Sequence, residues 1–257
     1  MRRGRAGEWD ERGKNGMIHR FSREELLLGQ EKLDKLKNSH VAVFGAGGVG
    51  SYVIEALARS GLGALTIIDG DTVSLSNCNR QLIALTSTVG LPKAEVARQR
   101  VLDINPDCNV RAIPLFFNGE TADSFSFSQY DYIADAIDMV TSKLLLISLA
   151  KRENVPVISC MGTGNKFDPM AFRVADISET SICPVARVMR KELKKRGISG
   201  VKAVFSTEEA IAPLPAEEDD TKGDPSRTVT PGSMAFVPAA AGLLLASEIV
   251  KDLVGGF

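Results

Sequence analysis

A chain of 257 residues, 44% of them hydrophobic and 25% charged, is long enough to bury a full core and too apolar to stay unfolded. With 31 Lys and Arg against 32 Asp and Glu, its formal charge of −1 gives no global attraction for nucleic acid or an anionic membrane, so any basic footprint has to be local. The four cysteines, Cys78, Cys108, Cys160 and Cys183, include no C-x-x-C pair, so no zinc is expected and a reducing, cytoplasmic setting with free thiols is.

In chain order, residues 1–16 (MRRGRAGEWDERGKNG) are polar and lack an apolar stripe, which predicts a loose tail with Met17 as a second candidate start. From His40 onward, short apolar runs alternate with longer helical patterns, the signature of βαβ units and a parallel sheet. Strands are expected at 41–45, 65–69, 109–114, 130–136 and 155–160, with helices at 48–60, 92–105 and 139–153 between them. The fold class is α/β, a Rossmann-like doubly wound and mainly parallel sheet with a C-terminal extension.

Residues 17–164 make up the core of this reading, and residues 165–257 extend the same domain. In the extension, AFRVADIS and VKAVFS flank an amphipathic basic helix over 184–196, and the Pro- and acid-rich stretch 211–233 reads as an exposed loop. The apolar stretch 235–246 is shorter than the ~20 residues that span a bilayer, so a docked helix is expected and no stable membrane insertion.

Chemistry-bearing residues cluster where the strands end. Gly45, Gly47, Gly48 and Gly50 form a G-x-G-x-x-G between strand and helix, where a tight turn and a helix N-terminus suit a phosphate. Asp69 closes the next strand, where a carboxylate can accept ribose hydroxyls; so far this predicts an adenine nucleotide and does not choose between NAD and ATP.

The loop DGDTVSLSNCNRQ that begins at Asp69 decides for ATP: Asp71, Asn77, Arg80 and Gln81, with Lys93 at the next helix, supply the polar and cationic groups that charge developing on a triphosphate needs. Asp138, after the strand YDYIADA, is placed to hold Mg2+ on the phosphates. Singly, each of these residues fits a helix cap or a solvated surface charge; their convergence on one sheet edge favours a site.

These motifs carry a resemblance. GAGGVGS, LTIIDGDTVSLSNCNRQ, VGLPKAE and INPDCNV are similar to the adenylating domain of the ubiquitin-activating-enzyme-like superfamily, over about residues 21–164. The resemblance implies ATP-dependent adenylation of a carboxylate, with Gly48, Asp69, Asn77, Arg80, Lys93 and Asp138 on ATP or Mg2+. It also implies a homodimer in which Arg23, within RFSREELLLG, enters the partner's ATP site; the alternative is a surface ion pair with a neighbouring Glu.

Members that activate sulfur carriers often have two zinc-binding C-x-x-C pairs, which this chain lacks. Its second half, through SCMGTGNKFDPMAFRVADISETSICPVARVMRKELKKRGI, VFSTE and GSMAFVPAAAG, resembles instead the tRNA threonylcarbamoyladenosine dehydratase branch. That likeness implies tRNA as partner, adenylation of the threonyl carboxylate, and ring closure by the neighbouring carbamoyl group with release of AMP and net loss of water. It also admits a cysteine-desulfurase or sulfur-acceptor system as a further partner.

Arg187, Arg190, Lys191, Lys194, Lys195 and Arg196 on the basic helix are then expected to face the tRNA backbone. Cys183, just before that helix, reads as a packing thiol rather than a nucleophile, and His19 and His40 offer no convincing general base. Two other functions stay open: an adenylyltransferase for a ubiquitin-like sulfur carrier, and a nucleotide-binding scaffold without turnover.

Overall fold

The computed structural model describes residues 18–214 and 231–256; the expected tail, Met17 and most of the acidic loop lie outside the described residues. Among the described residues, seven strands form one sheet: β1 (His40–Phe44), β2 (Ala64–Ile68), β3 (Asn109–Ile113), β4 (Tyr132–Asp135), β5 (Val157–Cys160), β6 (Phe172–Asp176) and β7 (Lys202–Ser206). Their spatial order is β3-β2-β1-β4-β5-β7-β6, and all neighbours are parallel except β6 with β7.

Among the described residues six α-helices accompany them: α1 (Ser22–Lys37), kinked at Gly29, α2 (Gly50–Arg59), α3 (Lys93–Ile104), α4 (Val140–Arg152), α5 (Pro184–Lys195) and α6 (Phe236–Val254). The two faces of β1 show how the sheet is wrapped. Val41 and Val43 join one core with Leu57 of α2, Ala97 of α3 and Leu245 of α6, whereas Ala42 and Phe44 join a second with Leu146 of α4 and Met189 of α5. A strand covered on both sides has to be apolar at every position, which is why VAVF reads as a continuous run rather than an alternation.

The chain leaves β1 toward β2 and β3, then crosses back to β4 on the other side of β1. Such a reversal opens a crevice outside the carboxyl ends of β1 and β4, where ligands of doubly wound sheets bind. β6 runs antiparallel at the edge, pairing Phe172 with Ser206 and Asp176 with Lys202. Side-chain alternation carries no information on strand direction, so the sequence could place this strand but not orient it.

α6 is docked by close contact. A Cβ on Gly242 would stand 2.5 Å from Val49 O and 2.9 Å from Tyr52 Cβ, so α2 and α6 touch through glycine. At its far end the Asp252 carboxylate accepts from Tyr132 OH at 2.6 Å and from Lys202 Nζ at 2.6 Å. No described helix is long and apolar enough to cross a membrane. Gly242→Ala should cost about 1–3 kcal/mol through overpacking, read as a lower urea midpoint; an unchanged midpoint would mean that the helix contact is slack.

Candidate functional site

Gly45 continues β1 with its N–H on Ile68 O at 2.8 Å and a φ of 94°, a conformation that favours glycine. A Cβ there would lie 2.7 Å from Ala136 O, and one on Gly50 would lie 1.7 Å from Gly45 O. The loop after β1 is therefore wedged against the loop after β4, and only glycine lets the turn into α2 close. Gly48 meets the C-terminal half: its Cβ would stand 3.2 Å from Pro238 Cβ and 3.8 Å from Arg80 Cγ.

Asp69 ties this loop to the next. Its Oδ2 accepts from Ala46 N at 2.7 Å and its Oδ1 from Asp71 N at 2.8 Å. Burial pushes its carboxyl above the usual range, opposed chiefly by the Lys93 charge and these two amides. A carboxylate has about four acceptor positions, so two amides leave room for ribose hydroxyls.

Lys93 is buried, with Nζ on Asp71 Oδ2 at 2.8 Å and its backbone N–H on Asp71 O at 2.9 Å. The helix starts at Lys93 itself, with Pro92 just before it. Asn77 is buried and closes a short turn, accepting from Ser74 N at 3.1 Å. The Arg80 guanidinium donates to Ser76 O at 2.7 Å and Asn79 Oδ1 at 3.0 Å, and Asn79 Nδ2 in turn reaches Ser233 O at 2.9 Å.

Gln81 is buried near Gly47, whose Cβ would lie 3.7 Å from its Nε2, and its Oε1 has no partner among the described residues. A buried orphan acceptor next to a glycine turn is an open position for a ligand donor. Asp138 is exposed and follows β4 by three residues; the N-cap position of α4 falls on the next residue, Met139. The structure thus gathers Gly45, Gly47, Gly48, Gly50, Asp69, Asp71, Asn77, Arg80, Gln81, Lys93 and Asp138 along the carboxyl edge of the sheet.

Arg23 is not among them. It is exposed in the first turn of α1, where Phe21 packs on Gly61 behind α2 and Arg20 reaches Ile104 O at the end of α3, beside the amino edge of the sheet. Its neighbours in the chain thus lie at the opposite end of the sheet from the glycine loop.

The structure adds three residues that the sequence reading passed over. Asp135, the last residue of β4, is fully buried and pairs with the buried Lys143 Nζ at 3.0 Å, while Ser159 Oγ donates to Asp135 Oδ2 at 2.6 Å. Lys143 Nζ also donates to Ile137 O at 2.8 Å, and Ile137 N donates to Asp135 Oδ1 at 3.1 Å. The available signal was a lysine leading directly into the apolar run LLLI of α4 and an aspartate inside a core strand, both of which demand partners when buried.

Cys183 is buried, as a packing residue should be, and only Cys78 of the four thiols is exposed. Burial pushes the Cys160 thiol up to about 12 and that of Cys108 up to about 11.

Asp135→Ala or Lys143→Met alone should destabilise by about 3–5 kcal/mol, because each strands a buried charge; a loss below ~1 kcal/mol in urea titrations would contradict the pairing. Iodoacetamide at neutral pH should alkylate Cys78 and spare the other three until the protein unfolds. Modification of Cys183 in the folded state, read by peptide mass, would contradict its burial.

Residues 21–256 match the ThiF family model. A tRNA threonylcarbamoyladenosine dehydratase of Bacillus subtilis is 44% identical over 243 residues, covering 93% of this chain and 96% of that protein. The solved structure of Escherichia coli tRNA N6-threonylcarbamoyladenosine dehydratase, TcdA, in complex with ATP is similar with a TM-score of 0.82 at 35% identity, covering 92% of this chain and 94% of that one. The structure of the same enzyme in complex with AMP gives a TM-score of 0.81 at the same identity. With glycine loop, acidic strand end and C-terminal extension all inside the matched span, the chain belongs to the ThiF family.

Proposed function

We propose that this protein is an ATP-dependent dehydratase that cyclises threonylcarbamoyladenosine in tRNA. The observation that carries the reading is near full-length similarity to proteins of that name, in both halves, with a solved relative holding ATP. The glycine loop and the side chains at the same edge support it with a site built for a triphosphate rather than for hydride transfer.

In this reading the threonyl carboxylate attacks the α-phosphorus of ATP and pyrophosphate leaves, so that a poor leaving oxygen becomes part of AMP. An atom of the adjacent carbamoyl group then attacks the activated carbonyl, the ring closes and AMP departs. Because nucleophile and carbonyl belong to one substituent, ring closure benefits from high effective molarity and needs no protein nucleophile. The burial of Cys183 agrees with that economy.

Asp69 and the glycine loop would orient the ribose and phosphates, with Asn77 and Gln81 beside them. Arg80 and Lys93 would oppose charge that grows on the phosphates, Lys93 being held at its post by Asp71. Mg2+ suits the donor set: it is usually bound through one or two carboxylates plus substrate phosphates, and Asp138 offers one exposed carboxylate at that place. Mg2+ would supply charge neutralisation on the phosphates. Arg23, at the far edge of its own chain, would act in the partner's site of a homodimer, an arrangement to which the exposed Leu26 and Leu27 beside it also lend themselves.

The tRNA-facing surface is narrower than the five cations of α5 and its C-cap Arg196 suggest. The Arg190 guanidinium donates inward to Thr180 O at 2.6 Å, and Lys195 and Arg196 engage Glu192, holding its carboxyl down at about 2. Arg187, Lys191 and Lys194, spaced i, i+4, i+7 and all exposed, form the remaining stripe. A cytoplasmic location agrees with a tRNA substrate.

Incubation with ATP, Mg2+ and tRNA carrying linear threonylcarbamoyladenosine should yield a nucleoside lighter by one water, with AMP formed in step; unchanged tRNA would refute the reading. Arg80→Ala and Asp138→Ala should each lower kcat by about 10²–10³-fold. Replacing Arg187, Lys191 and Lys194 together by Glu should raise KM for tRNA and flatten its salt dependence by about one logarithmic unit per cation, with kcat for bound tRNA preserved.

A further inference from the structure

We infer that the buried Asp135–Lys143 pair is a positioning device that sets the Asp138 carboxylate by holding both backbone polar groups of Ile137, the residue before it. The inference rests on the nucleotide-site reading above.

An ion pair sealed in a core is an expensive way to gain stability, since well-packed apolar residues of similar volume often do as well or better. What apolar residues cannot do is hold irregular backbone. Asp135 Oδ1 accepts from Ile137 N at 3.1 Å, and Lys143 Nζ donates to Ile137 O at 2.8 Å while pairing with Asp135 Oδ2 at 3.0 Å. Ser159 Oγ takes up further acceptor capacity on Oδ2 at 2.6 Å, which fixes the carboxylate from the side of β5.

The neighbouring residues are held as well. Ala136 N donates to Phe44 O at 2.9 Å, and Ala136 O sits where a Cβ on Gly45 would be 2.7 Å away. Beyond Asp138, α4 begins with Lys143 N on Met139 O at 3.0 Å, so Lys143 contacts the loop through its side chain and the helix start through its backbone. Asp138 therefore projects from a segment pinned on both sides. A carboxylate held in this way keeps a fixed distance to phosphates lying on the glycine loop, as outer partners of metal ligands generally do.

The test uses the full-length protein and two probes, ATP alone and ATP with Mn2+ followed by the electron paramagnetic resonance of free Mn2+. The charge-balanced double variant Asp135→Asn/Lys143→Met removes both charges together and so strands neither. It should lose about 10–100-fold of the metal-linked gain in ATP affinity while metal-free ATP binding stays as in the wild type. Tyr132→Phe, which cuts the bond to Asp252 at the opposite end of β4, should lose stability without moving either affinity.

An undiminished metal-linked gain in the double variant, or an equal loss in Tyr132→Phe, would overturn the inference. Should the double variant not fold, hydrogen exchange of the wild type decides: the Ile137 amide must be strongly protected without nucleotide, and rapid exchange there would overturn the clamp. Absence of any metal-linked ATP binding by the wild type would bring down the nucleotide site itself, a failure distinct from that of the clamp.

Discussion

The site depends on one steric constraint: the loop leaving β1 and the loop leaving β4 are in backbone contact. Gly45 lies against Ala136 O and Gly50 against Gly45 O at separations that leave no room for a Cβ. This contact lets the helix N-terminus of α2, the carboxylate of Asp69 and the segment carrying Asp138 converge on one crevice. Two parallel strands alone would bring their carboxyl ends within a sheet spacing of each other; the missing side chains let the connecting loops share that space.

Around this contact the polar groups form a chain of supports. Asp69 binds an amide of the glycine loop and an amide of its own loop, Asp71 anchors Lys93, and Asp135 with Lys143 braces the approach to Asp138. These bonds are made between groups of the protein itself, which is what electrostatic preorganisation requires: dipoles and charges already oriented do not have to be reorganised during reaction. The C-terminal half belongs to the same structure, since Pro238 meets Gly48 and Asn79 binds Ser233 across it.

Much of this was legible in the residues. Doubly covered strands must be apolar throughout, so β1, β2, β4 and β5 announce themselves, and the glycine pattern with Asp69 marks the crevice because few other structures need those residues in that spacing. The direction of β6 was not legible, because alternation is the same for parallel and antiparallel pairing. Nor was the inward turn of Arg190 or the pairing of Lys195 and Arg196 with Glu192, since a helical cation looks the same whether it meets solvent, a carbonyl or a carboxylate three or four residues away. The Asp135–Lys143 pair was missed for a similar reason: eight positions apart and on different elements, its members meet only once β4 and α4 are packed. The placing of Arg23 near the amino edge came only from the packing of α1, which the sequence does not reveal.

Adenylation of the threonyl carboxylate itself can be followed directly by oxygen labelling. With tRNA whose threonyl carboxylate carries oxygen-18, turnover in ordinary water should deliver one labelled oxygen to the phosphate of AMP and none to pyrophosphate, with the cyclic nucleoside keeping the other. Unlabelled AMP formed alongside the dehydrated nucleoside would contradict the account, because the carboxylate oxygen would then have left by a route that does not pass through an acyl adenylate.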